Sequence, residues 1–153
     1  MRINTHRDLA TILDCSLQEI EGRDWGEANF DSHLVIECHR LHRIPLRDFQ
    51  IEDLRLMIGQ NMCLEHLMPL AIEQLEKDPF AEGDCHPCDL LVNVLRVEAK
   101  FWLTNRGQRD QVDLIAKKAI SLFASMEDLD CSIVIKEVEQ AFGQFQRNRP
   151  AGP

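Results

Sequence analysis

The spacing of apolar residues constrains the fold most. Leu64, Leu67, Met68, Ala71 and Leu75 recur at three- and four-residue steps. That period places them on one face of an α-helix, which must be buried against something else. The same period runs through Leu9, Ile12, Leu13, Leu17 and Ile20, and through Leu34, Val35, Cys38 and Leu41. It returns in Val112, Ile115, Ala116, Ala119, Ile120 and Phe123, and in Ile133, Val134, Val138, Ala141, Phe142 and Phe145. No stretch sustains the two-residue alternation of a half-buried strand. Ser132–Lys136 (SIVIK) is strand-like in composition, but the pattern that follows it is helical. The pattern predicts an all-α fold, a compact single-domain bundle of about six to eight helices packed on one another.

Local signals place the helix ends. Thr5, with Asp8 behind it, can cap a helix over 6–21 that stops at Gly22. Residues 22–31 read as a loop pinned by Trp25 and Phe30, and Asp31 or Ser32 caps a helix over 32–43 that Pro45 ends. A short helix follows at 51–58, closed by Gly59. Asn61 can cap the next helix, in which Pro69 predicts a kink or a division into two pieces. Asp78-Pro79 stops it. Residues 78–86 form an acidic loop, and Pro87 suits the first position of the helix carrying Leu90, Leu91, Val94 and Leu95. Phe101 and Trp102 belong to a short turn or helix that closes the core, residues 108–125 to a helix, and Asp130 caps the last one. Residues 1–147 read as one helical domain and 148–153 as a disordered tail.

Charge narrows the function classes. There are 17 Lys and Arg against 26 Asp and Glu, a net charge of −9. Nucleic-acid binding needs clustered cations, so this balance argues against it. A basic protein partner suits it better, because opposite fields speed encounter. The excess is concentrated before residue 110; residues 111–153 carry 6 acids and 5 bases. No leader-like apolar region opens the chain, and no run nears the roughly 20 apolar residues of a membrane span. The expected location is the cytoplasm, with no membrane association.

Catalytic motifs are missing. No Gly-x-Ser-x-Gly, phosphate-binding glycine loop or His-Glu-x-x-His occurs. Cys85-His86-Pro87-Cys88 is a Cys-x-x-Cys, which can lower a thiol pKa at a helix start. Such redox motifs accompany a βαβ frame that this pattern does not predict. Alternatively, Cys38 and His42, one helical turn apart, could join Cys85 and Cys88 as four zinc ligands. A metal-binding or redox-regulated helical module is therefore the alternative function; otherwise the pair are incidental to a capping turn. Glu52-Asp53 and Glu127-Asp128 are adjacent acids whose side chains diverge on a helix, so they read as solvated or first-turn charges.

Several strings carry a resemblance. They are Gly22, Asp24-Trp25-Gly26, Asp31-Ser32-His33-Leu34-Val35 and Cys38-His39-Arg40-Leu41. Pro45-Leu46, Asp48-Phe49 and Glu52-Asp53-Leu54-Arg55-Leu56-Met57-Ile58-Gly59-Gln60 follow. Leu67, Pro69-Leu70-Ala71, Pro79-Phe80-Ala81-Glu82-Gly83-Asp84 and Asp89-Leu90-Leu91 complete them. In order and spacing this resembles the immunity proteins of contact-dependent growth inhibition systems, over about residues 17–103. The resemblance implies a cytoplasmic, non-enzymatic protein with no cofactor. Such a protein binds the C-terminal toxin domain that a neighbouring cell delivers. Many such toxins are nucleases with basic surfaces, which an acidic inhibitor can cover. The family pattern has an aromatic and a glycine where this chain has Cys85 and Cys88, which argues against a family-wide metal or redox role for the pair.

Under that resemblance the expected toxin-binding residues are Glu19, Glu21, Asp24 and Glu27 around the first loop. Glu73, Glu76, Asp78, Glu82, Asp84 and Asp89 make up the second set. Loops on a rigid scaffold are the usual seat of specificity. Phe80 is expected to be a buried staple. Arg55, Gln60, Asp53 and His33 are expected to be structural, with Arg55 as an anchor bonded to a carboxylate or to loop carbonyls. Leu54, Ile58, Leu64, Leu67, Ala71, Leu75, Leu91 and Leu95 are expected to form one buried cluster.

Overall fold

A computed structural model describes residues 9–29, 32–126 and 131–148. The expectations for Thr5, Asp8, Phe30, Asp31, Glu127, Asp128, Asp130 and the tail beyond Asn148 lie outside the described residues. The fold is all-α: the described residues form nine α-helices and one turn of 3₁₀ helix. The chain divides into two compact units, Met1–Gln50 and Ile51–Pro153.

The first unit holds α1 (Leu9–Leu13), α2 (Leu17–Glu21), α3 (His33–Arg43) and the 3₁₀ turn Leu46–Asp48. The single helix expected over 6–21 is broken at Asp14–Ser16. Ser16 Oγ accepts the Glu19 N–H at 3.1 Å, capping α2. The Cys15 carbonyl, which an unbroken helix would give to Glu19, accepts the Leu46 N–H at 3.0 Å instead. A pairing across the unit, seen also as a bridge between Ser16 and Pro45, wins over local periodicity. α2 ends on Gly22 at φ 66°, and the Gly22 and Arg23 N–H groups both return to the Gln18 carbonyl. Leu17, Cys38, Leu41 and Leu46 are buried.

The second unit holds α4 (Ile51–Gly59), α5 (Leu64–Lys77), α6 (Asp89–Leu95), α7 (Ala99–Leu103), α8 (Arg106–Ala124) and α9 (Cys131–Arg147). Its centre is α6, which packs against α4, α5, α8 and α9. Six of its seven residues are buried: five apolar ones around the helix, and Asp89 at its start. Gly59 lets α4 approach closely, since a Cβ there would come within 2.8 Å of Asn93 Oδ1. All eight residues of the expected cluster, from Leu54 to Leu95, are buried. Trp102 closes the core with its edge against Phe145, centroids 5.7 Å apart. The SIVIK run is helical, within α9.

Three local expectations are corrected in this unit. α5 runs unbroken through Pro69, so the division into two pieces does not occur. Glu65 and Pro69 are both exposed, so the carbonyl that Pro69 leaves without an N–H partner can turn to water. Asn61 does not cap α5: it sits at φ 54°, its Oδ1 accepts the Glu98 N–H at 3.1 Å, and Cys63 precedes the helix. Pro87 does not open α6, which starts at Asp89 after Cys88 at φ 66°. No helix among the described residues is long and apolar enough to cross a membrane.

Candidate functional site

In the second unit, the segment between α5 and α6 is held from below by α4 and α6. Asp78 Oδ1 accepts the Phe80 N–H at 2.9 Å, turning the chain sharply after α5. Phe80 then tilts its ring against Phe123, centroids 4.6 Å apart, so it pins the segment but is half-buried rather than the buried staple expected. Beyond it, the backbone closes over two carboxylates. Asp89 Oδ1 accepts the Gly83 N–H at 2.7 Å, and its Oδ2 accepts those of Cys85 at 3.1 Å and His86 at 3.4 Å. Glu52 Oε2 accepts the Asp84 N–H at 2.8 Å.

Arg55 joins the two acids. Its Nε donates to Glu52 Oε2 at 2.6 Å, a second nitrogen donates to Glu52 Oε1, and Nε lies 3.7 Å from Asp89 Oδ2. The side chains are 18% exposed for Arg55 and 1% for Asp89. The Arg55 hydrogen bond holds the Glu52 carboxyl below the usual glutamate range, helped by the Asp84 N–H and opposed by burial. The same bond raises Arg55 above its ordinary value. Gly83 lets the segment lie close on these side chains. A Cβ there would collide with the Glu52 carboxylate and press on Asp89 Oδ2 at 3.0 Å and Arg55 Cδ at 3.3 Å. The far end of the segment is tied to α9, with His86 Nε2 3.2 Å from Glu137 Oε2.

In the first unit, the loop after α2 is held against α3. Asp24 Oδ1 accepts the Gly26 N–H at 2.8 Å, which holds its carboxyl below the usual aspartate range. The Gly26 carbonyl accepts from Arg43 at 2.6 Å and from His39 Nδ1 at 3.1 Å. Trp25 stacks on His42, centroids 3.7 Å apart, and meets His39 edge-on. His42 is buried, with Nε2 3.0 Å from Glu21 Oε2.

The expected toxin-binding acids therefore differ in what their carboxylates do. Glu19, Glu27, Glu82 and Asp84 are exposed. Glu73 is exposed but paired with Lys77 at 3.1 Å, and Glu76 accepts from Gln111 at 3.3 Å. Asp24 and Asp78 are exposed with one oxygen committed to a turn. Glu21 and Asp89 face inward, to His42 and to the clamped backbone. Cys88 is buried with its thiol 3.8 Å from the Pro79 carbonyl, while Cys85 is exposed.

The model of a protein family, CDI immunity proteins, matches residues 19–122. The chain belongs to that family. No curated protein and no solved structure matches it. The match spans both the loop after α2 and the clamped segment between α5 and α6.

For a CDI immunity protein, the residues that sequence reasoning misplaced are instructive. Arg55 is the half-buried anchor that was expected, whereas Gln60 and His33 are exposed. Glu52 stands in the first turn of α4, one of the two positions its sequence suggests, and its carboxylate there is half of the clamp. Its only sequence signal is the three-residue step to Arg55, which puts the two on one helix face. The stacking of Trp25 on His42 has no sequence signal, because it depends on how α2 and α3 meet.

Proposed function

We propose that this chain is the immunity protein of a contact-dependent growth inhibition system and neutralises a cognate C-terminal toxin domain by direct binding in the cytoplasm. Family membership over residues 19–122 carries the reading. The protein acts by occlusion rather than by catalysis. Its net charge of −9 supports a basic toxin, such as a nuclease whose own surface is built for phosphates. The exposed acids Glu19 and Glu27 in the first unit, and Glu76, Asp78, Glu82 and Asp84 in the second, are the proposed contacts, with Asp24 and Glu73 at their edges.

The test is co-expression with the cognate toxin domain, followed by co-purification. Cells should survive toxin expression only when this chain is present, and the two proteins should elute as one complex. Survival with no complex by gel filtration or titration calorimetry would defeat direct binding as the mechanism.

A further inference from the structure

The clamp between α4 and α6 has a property that acidity alone does not provide. Four successive backbone donors, the N–H groups of Gly83, Asp84, Cys85 and His86, all turn inward onto two side chains from different helices. The receiving carboxylate of Asp89 is buried, and Arg55 holds both acids in register. A side chain at Gly83 would crowd this closure, because its Cβ would displace the Glu52 carboxylate. With its donors turned inward, the segment offers a partner the exposed carboxylates of Glu82 and Asp84 as acceptors.

We infer that Glu52, Arg55 and Asp89 are positioning residues for toxin binding. They hold residues 83–86 in the docked shape before the toxin arrives, so a donor-rich, cationic surface meets a finished edge. This rests on the toxin-neutralising reading above. If only a fraction of molecules carries the clamped shape, affinity falls by that fraction, so loosening the clamp weakens binding without removing a contact.

The experiment uses the full chain and the cognate toxin domain. Amide hydrogen exchange at residues 83–86 is measured in the free protein, and toxin affinity in parallel. In the parent these amides should be protected. In Asp89→Asn and Glu52→Gln they should exchange faster by a larger factor than the α8 amides, which follow global stability. Toxin affinity should fall by the same factor as the clamped population, about tenfold where one molecule in ten remains closed. Arg55→Lys should restore part of both losses seen in Arg55→Ala. A residue with only a global structural role would speed exchange at residues 83–86 and in α8 by the same factor, the one set by the loss of stability, and break this proportionality.

If Asp89→Asn does not fold, Glu52→Gln carries the comparison, because it loosens only the Asp84 N–H and the Arg55 bond. The inference is overturned if the parent amides exchange at unprotected rates. It is also overturned if they are freed in a variant that binds toxin like the parent. A parent with protected amides that binds no toxin overturns the functional reading, and the inference with it.

Discussion

Glu52 is the residue at which pH should act on the clamp. Its carboxyl sits below the ordinary value of 4.5, chiefly through the Arg55 hydrogen bond. A depressed folded-state value means that the unfolded chain binds the proton more readily. The bond's contribution is therefore complete above the unfolded value and is lost as pH falls through the folded one. Urea unfolding of the parent should show stability declining below about pH 4.5, the ordinary glutamate region. Glu52→Gln should be less stable at neutral pH and should flatten that decline. An equally steep decline in the variant would assign the acid sensitivity to other carboxylates. Asp84 and Asp89 show why such roles were not legible in the sequence. Both are acids in one polar stretch, yet Asp84 is exposed and Asp89 is buried under three N–H groups. Only closure of the segment over α4 distinguishes them, and closure is not a property of local composition.

At the scale of elements, α5 and α8 were readable because their apolar stripes are long and their partners bury them along their whole length. Leu67 lies at 0% exposure on α5, within the cluster that the period predicts. Leu67→Ala should therefore lower unfolding free energy by about 2–5 kcal/mol, the range for large-to-small core changes. Ile133 belongs to the stripe of α9 by sequence but is 76% exposed. Ile133→Ala should stay within about 0.5 kcal/mol of the parent. Chemical denaturation of the pair checks both, and equal effects would mean that burial does not separate them. Helix starts were less legible for an identifiable reason. The break between α1 and α2 follows from the Cys15–Leu46 pairing, and the start of α6 from left-handed backbone at Cys88. Neither leaves a mark on apolar spacing. The α1–α2 break divides one expected helix into two among the described residues.

Over the whole molecule, the charge of −9 predicts how the toxin should be met rather than how tightly it is held. Exposed acids attract a basic partner over distances comparable to the Debye length, about 8 Å at physiological salt. Charge reversal at Glu76, Asp78, Glu82 or Asp84 should therefore slow association at low salt, with a smaller difference at moderate salt. Glu82→Lys and Asp84→Lys should show the cleanest effect, because both side chains are exposed and both flank the clamp. Glu76→Lys also breaks a bond to Gln111, and Asp78→Lys removes the acceptor that turns the chain at Phe80, so their melting temperatures must be compared first. An exposed acid at the rim should act on the association rate. One that becomes buried against a toxin Lys or Arg should act on dissociation, by about 2–5 kcal/mol. Stopped-flow association at two salt concentrations separates these outcomes. If all four variants fold and bind like the parent at both, the 73–89 surface is not the interface, and the acids around the loop after α2 become the surface to test.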